Sequence, residues 1–493
     1  MIGFFQIQLK RQLAPSLGQM SSPETTTLAD PVVTVLGRDP PRRKCLLNGA
    51  AFQQDAVVSL AGWQYAVFYS PLPGSEEPVF VHVARRKLPA SAWEVLVLQD
   101  YSQTVDDGHN TVQMGICVGD GTIHLSYDHH CDVLRYRQSV QGLAINPERF
   151  TWNAELFTPT LDHLPGLPNT HEHFGYVTYP RFINSGRGQD MLMSFRTGKA
   201  GLGDDHLYVY RAAVARFELV GTHLVGVQSN PYVHGMDVDA QSGRLHVTWV
   251  YRGFVHYEGW DDPLDTKHKQ QAGPNGAENN HNLCYAYSDD CGRTWRNTHD
   301  QTVADLGSDK AAGVRPDAVG LVVFEIPKGS GLTNQESQVV DPDGGVHVLN
   351  RTCSPGSSKA EWRHFYREHE KGIMLPLAPT VTSLTDQFTL SGQWQQSSIG
   401  ITADGRRGRL AVSQSGDLFI ILPDSNVLGL TILRALKTNG YAEYQRIWQG
   451  DGLSGEPLVD IRRLNEGDGV LSVFTRRVRD DKKEVVVLDF ELP

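Results

Sequence analysis

Four histidines crowd one short stretch of this chain, His109, His124, His129 and His130, with Tyr127, Arg135, Tyr136 and Arg137 among them. An imidazole changes charge near neutral pH, so histidines beside Arg and Tyr suit proton transfer next to a bound anion. The same residue types recur further on. Tyr179 and Arg181 precede Arg196, Tyr232 and His234 precede Tyr251 and Arg252, and Asn334 and Glu336 precede Arg363.

One chemistry uses all of these groups. A uronic acid carries a carboxylate at C5, and removing the C5 proton expels the C4 oxygen by β-elimination. The carbanion becomes accessible only when the carboxylate charge is neutralised, which calls for Arg or a protonated His. A base takes the proton and an acid meets the leaving oxygen. His109, His129, Tyr179 and Arg196 supply every part. His130, His234, Tyr251, Arg252, Asn334 and Arg363 lie in stretches expected to reach the same cleft.

Other chemistries fit less well. A glycosidase needs two facing carboxylates, and Asp106, Asp107, Asp128, Asp237 and Glu336 form no obvious pair. Asp107, His109, Asp128 and His129 could be arranged around a metal, but no zinc-protease or EF-hand spacing is present. No catalytic metal or cofactor is expected, although a structural calcium is compatible with the scheme.

The elements that must position these residues read as short strands. Helical periodicity is nearly absent, and Gly, Asp and Asn turns separate the strand patterns. A unit repeats: an Asp/Gly turn, an apolar–His–apolar strand, then a Tyr-rich strand. Asp120–Leu125, Gly243–Trp249 and Asp343–Val348 are copies, and Asp417–Ile421 is a degenerate one. Repeats of roughly 40–60 residues that form four-stranded units predict a β-propeller, and seven blades fit the length. His124, His246 and His347 share one place in the repeat, so they are expected to pack inside blades. Ser288–Trp295 fits the Asp-box pattern S-x-D-x-G-x-T-W, a structural turn of sugar-binding propellers. The predicted organisation is a loose leader over 1–30, with Met20 as a candidate start, and one propeller domain over 31–493.

Composition bounds the function. The 493 residues carry a formal net charge of −11 and no evident basic face, which argues against nucleic acid as partner. No stretch approaches the roughly 20 apolar residues of a membrane span. The N-terminus does not read as a signal peptide, so localisation stays open. Six dispersed cysteines lack zinc-ribbon spacing and are expected as buried thiols, with one or two disulfides if the protein is secreted. A monomer is expected.

The motifs DGHN, DGTIHLSYDHH, LRYRQS, TYPRF, MSFRTG, HGMDVD, GRLHVTWVYR, NNHNLCYAYSDDCGRTW and NQESQVVDPDGGVHVL resemble, in order and spacing, the BNR-repeat polysaccharide lyases. That group includes ulvan lyases and fungal rhamnose–glucuronate lyases acting on gum arabic and arabinogalactan. The resemblance runs from about Gly49 to Val487. It implies an all-β, seven-bladed propeller with a central cleft, a uronate-containing glycan as substrate, and elimination as the reaction. It also implies a histidine pair about twenty residues apart, matched by His109 and His129, with Tyr179 and Arg196 from the next blade. Arg252, Arg363 and Asn334 match its further contacts. A sialidase-like hydrolase is the alternative, although the Phe-Arg-Ile-Pro motif of that class is missing near the N-terminus. A non-catalytic sugar-binding propeller is the other alternative.

Overall fold

In a computed structural model the described residues are 27–492, apart from 51–54, 91, 185–188, 263–265, 270–271, 309–311, 355, 370–392, 425–427 and 481. They form seven antiparallel sheets, the blades of a propeller. The innermost strands, blade 1 to blade 7, are Val57–Leu60, Val112–Ile116, Val177–Asn184, Ser229–Val238, Ser337–Val340, Arg409–Val412 and Leu458–Val459. Each is followed by strands lying progressively further from the axis. The apolar residues sit between neighbouring sheets: one cluster joins Phe68, Leu125 and Phe474 of different blades, and another joins Leu207 and Trp249. Stacked sheets bury apolar side chains on both faces, so the strands read as near-continuous buried runs rather than clean alternation.

The repeat unit falls where the sequence places it. His124, His246 and His347 all lie on second strands, are at most 1% exposed, and bond to the third strand of their own blade. His124 Nδ1 meets the Tyr136 hydroxyl at 2.6 Å, His246 Nδ1 meets that of Tyr285 at 2.8 Å, and His347 Nδ1 meets His364 Nε2 at 2.9 Å. They are packing groups. In the Ser288–Trp295 turn, Asp290 accepts from the Thr294 amide at 2.7 Å and from the Ser288 hydroxyl at 2.8 Å, while Trp295 is fully buried.

The ring closes through a strand from the start of the chain. Val32–Arg38 pairs antiparallel with Lys482–Phe490 as the outermost strand of blade 7, with Val32 opposite Asp489. Blade 7 also grips blade 1: buried Arg86 reaches Asp489 at 2.6 Å, and Asp460 accepts from Gln64 at 2.8 Å and from the Ser59 hydroxyl at 2.5 Å. Of the leader expected over 1–30, residues 27–30 are described, and they are docked rather than loose. The Leu28 amide donates to the Ile447 carbonyl at 2.8 Å, and Trp448 donates to Asp30 at 3.2 Å. Met20 lies outside the described residues.

A cavity of about 450 Å³ follows the axis, lined by Asp55, Arg181, His234, Asp237, Arg409 and Asp460 among others. All six cysteines are free thiols. Among the described residues no helix is long and apolar enough to cross a membrane.

Burial without charge has a consequence for stability. Desolvation pushes the pKa of His124, His206 and His234 down to about 3. Unfolding returns each to about 6.5, so below that pH the unfolded chain binds more protons than the folded one. Stability is therefore full above about pH 6.5 and is lost as pH falls from there toward 3. Calorimetry between pH 8 and pH 5 should show the melting temperature falling through the acid half of that range.

Candidate active site

The groups with chemistry meet where the first residues of the inner strands of blades 2 to 6 converge. Asp107 to Asn110 form the turn that enters blade 2, and the His109 amide donates to Asp107 Oδ1 at 2.9 Å. After the second strand of blade 2, Ile123–Tyr127, the chain crosses to blade 3. There His130–Asp132 adds a short strand to the inner edge of that sheet, with His130 opposite Thr178. Asp128 (φ 64°) and Cys131 (φ 57°) take left-handed backbone on either side of His129 and His130. These two reversals break the alternation of an ordinary strand and set neighbouring histidines in different surroundings.

Asp128 ties the crossing in place. It is buried, and it accepts from Asn110 Nδ2 at 2.7 Å, from Gln103 Nε2 at 3.3 Å and from the Tyr101 hydroxyl. One carboxylate thus joins the end of blade 1, the His109 turn and the His130 segment.

His109 and His130 form a stacked pair, ring centroids 3.8 Å apart and 15° from parallel. A single carboxylate bridges them: Asp107 Oδ1 lies 2.6 Å from His109 Nδ1, and Asp107 Oδ2 lies 2.6 Å from His130 Nδ1. Burial opposes the Asp107 charge, but the two imidazole bonds outweigh it and hold its pKa well below the usual carboxylate range. Burial, aided by neighbouring His109, pushes His130 down to about 4. An ionised carboxylate only accepts, so both Nδ1 atoms carry hydrogen and the basic lone pair of each ring sits on Nε2.

Asp107, His109 and His130 are also the one described cluster of metal-ligating type. Two ligand atoms on a tetrahedral zinc, with bonds of about 2.0 Å, stand about 3.3 Å apart. The 2.6 Å contacts are hydrogen-bond distances, and near-parallel rings direct their lone pairs side by side rather than at one ion.

Tyr179 faces this pair from blade 3, its ring 5.6 Å from that of His109. It sits at a bulge, with φ 57° and a register shift between Thr178 and Arg181. A bulge re-aims a side chain, and a non-glycine residue held in this region stores strain of the kind that collects at functional sites. Burial pushes its phenol pKa up, against the pull of Arg196, Arg252 and Arg407, so the hydroxyl keeps its proton at neutral pH. The Arg196 guanidinium lies 5.0 Å from the Tyr179 ring centre and 5.3 Å from that of Tyr232, and donates to the Tyr232 hydroxyl at 3.0 Å. Arg252 lies 4.5 Å from the Tyr232 ring centre and donates to Asn334 Oδ1 at 3.0 Å, while Arg407 donates to the Asn334 carbonyl at 3.1 Å.

Of the expected site residues, the structure therefore brings together His109, His130, Tyr179, Arg196, Arg252 and Asn334. His129 is corrected. Its ring is buried, Nε2 accepts the Arg135 amide at 2.8 Å, and burial pushes its pKa far down, so His130 takes the place expected for it. Tyr251 is corrected too: it packs in the core against Trp249, because its neighbour Arg252 takes the opposite face of the strand. Arg363 is held by Thr352, Ser354 and Glu361. Arg351, on the strand beside it, has the place in blade 5 that Arg196 and Arg252 have in blades 3 and 4. Those two stand opposite Thr178 and Asn230, and Arg351 lies two residues beyond the Ser337–Leu349 pair. His234 lines the axial cavity, where its Nδ1 accepts the Glu336 amide at 3.1 Å.

The bridging role of Asp107 and the places of Tyr232 and Arg407 were not foreseen. Tyr232 had a signal, since it precedes a channel-lining residue by two just as Tyr179 precedes Arg181. Arg407 lies in the turn entering blade 6 and had none.

The profile of the family described as BNR repeat-containing family member matches residues 63–373. No curated protein sequence matches the chain. Among solved structures, the polysaccharide lyase Uly1 is similar over 95% of this chain and 100% of its own, with TM-score 0.65 and 16% identity. A PL25 ulvan lyase is similar over 92% of this chain and 94% of its own, with TM-score 0.59 and 11% identity. A Trypanosoma rangeli sialidase reaches TM-score 0.40 at 9% identity, over 94% of this chain and 59% of its own.

The Asp128 tie can be tested alone. Asp128→Ala strands the Asn110 and Gln103 donors and puts a Cβ-bearing residue without compensating bonds at positive φ. It should cost roughly 2–4 kcal/mol of stability, and Asp128→Asn clearly less, as read by denaturant unfolding.

Proposed function

This chain belongs to the BNR repeat-containing family, and from that premise we propose that it is a polysaccharide lyase cleaving a glycosidic bond to a uronic acid by β-elimination. The observation that carries the reading is the stacked His109–His130 pair beside a protonated Tyr179 and the buried Arg196. The similarity of fold to Uly1 and the PL25 ulvan lyase supports the same class. Glucuronate in a rhamnose-containing glycan is the substrate the reading favours.

The steps follow from the groups. Arg196, whose Nε has no hydrogen-bond partner among the described residues, grips the C5 carboxylate and stabilises the charge that develops there. His130 Nε2 takes the C5 proton. The electron pair of the broken C–H bond forms the C4–C5 double bond as the C4–O bond breaks, and Tyr179 gives its proton to the departing oxygen. The products are an unsaturated uronate at one new end and a hydroxyl at the other. Loss of the proton from His130 to solvent and reprotonation of the Tyr179 oxygen from solvent restore the starting state. No step draws on a metal.

Arg196 and Arg252 on either side of Tyr232 favour a second reading, a sialidase-like hydrolase with a tyrosine nucleophile. The Tyr232 hydroxyl meets Arg196, not a carboxylate base, so that reading ranks below the first.

Incubation with ulvan, gum arabic, heparinoids and pectins should produce the ultraviolet absorbance of a 4,5-unsaturated uronate on at least one of them. Reducing ends released without that absorbance would establish the hydrolase instead. Arg196→Ala should abolish turnover in a folded protein, and Arg196→Lys should restore little, because a point charge lacks the planar fork. Wild-type turnover in folded Arg196→Ala would remove Arg196 from the site.

The histidines separate cleanly. His130→Ala should lower kcat by at least ~100-fold, the lower end for a general acid–base group. His129→Ala should act through the melting temperature and leave kcat per folded molecule within a few-fold of wild type. The reverse pattern would return His129 to the site.

A further inference from the structure

The reaction scheme presupposes a basic Nε2 on His130 and rests in this on the proposed function, but it does not say what holds the ring in that form. We propose that Asp107 is a positioning residue that fixes the tautomer of both histidines, holding hydrogen on Nδ1 of each and so keeping both Nε2 atoms basic toward the cleft. The geometry points to this because its two oxygens divide the work, Oδ1 meeting His109 Nδ1 at 2.6 Å and Oδ2 meeting His130 Nδ1 at 2.6 Å. The rings are also stacked at 3.8 Å, so neither can turn over without breaking contact with the other. A histidine in solution favours hydrogen on Nε2 modestly, and a ring of that form would present a donor, not a base, to a C–H bond. One carboxylate thus prevents two inactive forms at once.

The asymmetry of the contacts makes the inference sharp. Asp107 Oδ1 also accepts the His109 backbone amide at 2.9 Å, whereas Oδ2 has no such backbone partner among the described residues. In Asp107→Asn the amide oxygen must stay on the His109 side, because that backbone N–H needs an acceptor. The amide nitrogen then faces His130 and donates to its Nδ1. His130 must move its hydrogen to Nε2, while His109 stays as it was. An isosteric substitution inverts one histidine and spares its neighbour.

The test is ¹⁵N spectroscopy of histidine-labelled full-length protein at neutral pH, with the two rings assigned by their loss in His109→Gln and His130→Gln. Wild type should show hydrogen on Nδ1 in both rings. Asp107→Asn should show His130 inverted and His109 unchanged. The kinetic arm rests on the eliminative reading: kcat should fall about 100-fold with KM within a few-fold of wild type, since Arg196 and Arg252 are untouched. Asp107→Glu should not restore it, because a longer side chain cannot keep both 2.6 Å contacts. Nδ1–H on both rings of folded Asp107→Asn would overturn the proposal, as would Nε2–H on either ring of wild type. The wild-type measurement decides the matter even if the variant does not fold. Expected tautomers in a protein that produces no unsaturated uronate would leave this inference standing and overturn the lyase reading.

Discussion

Everything at the mouth of the channel depends on the buried Asp128 carboxylate. Its bonds to Tyr101, Gln103 and Asn110 gather three separate pieces of chain around one charge. Without them the His109 turn and the His130 segment would be neighbouring loops with no common reference. With them, the histidines are set to within the tolerance that stacking demands. The residue stands at φ 64°, a backbone that Asp tolerates better than bulky residues. The same residue therefore turns the chain and anchors the turn.

The cationic wall solves a different problem. The chain as a whole is acidic, with a net charge of −11, and would repel at long range the anionic glycan proposed as its substrate. Attraction has to be local. Arg196 and Arg252 occupy equivalent places on the second strands of successive blades, so the propeller repeat delivers guanidinium groups to one rim at regular intervals. Aromatic rings on the inner strands, Tyr179 and Tyr232, lie over them. Cation–π contact offsets part of the cost of burying charge, and burial in turn strengthens each arginine's interaction with a carboxylate.

The fold was legible because a propeller repeats. Three copies of an Asp/Gly turn followed by an apolar–His–apolar strand set the period, and His124, His246 and His347 proved to be the packing groups that recurrence implies. The site was legible where it kept strand alternation: Arg196 and Arg252 are on the rim. It was not legible where alternation breaks. Two left-handed residues, Asp128 and Cys131, decide which of His129 and His130 faces the cleft, and neither is a glycine that would have announced the turn. Tyr251 was readable in principle, since it cannot share a face with Arg252. Arg363 lies on a third strand, away from the axis, and sequence offers no sign of which strand in a blade a given arginine occupies. Arg407 comes from the turn entering blade 6, and only the packing of blade 6 against blade 5 brings it to Asn334.

That closing strand carries a kinetic consequence. Val32 must find Asp489 across nearly the whole length of the chain. Pairings this distant are entropically slow to form. Blade 7 can be completed only after Leu471–Arg479 and Lys482–Phe490 exist, so Val32–Arg38, made well before them, is seated after them. Until then the outer edge of Lys482–Phe490 and the facing surface of blade 1 stand open, and an exposed edge invites pairing with another chain. The vulnerable period is the interval between synthesis of Lys482–Phe490 and the docking of Val32–Arg38 against it.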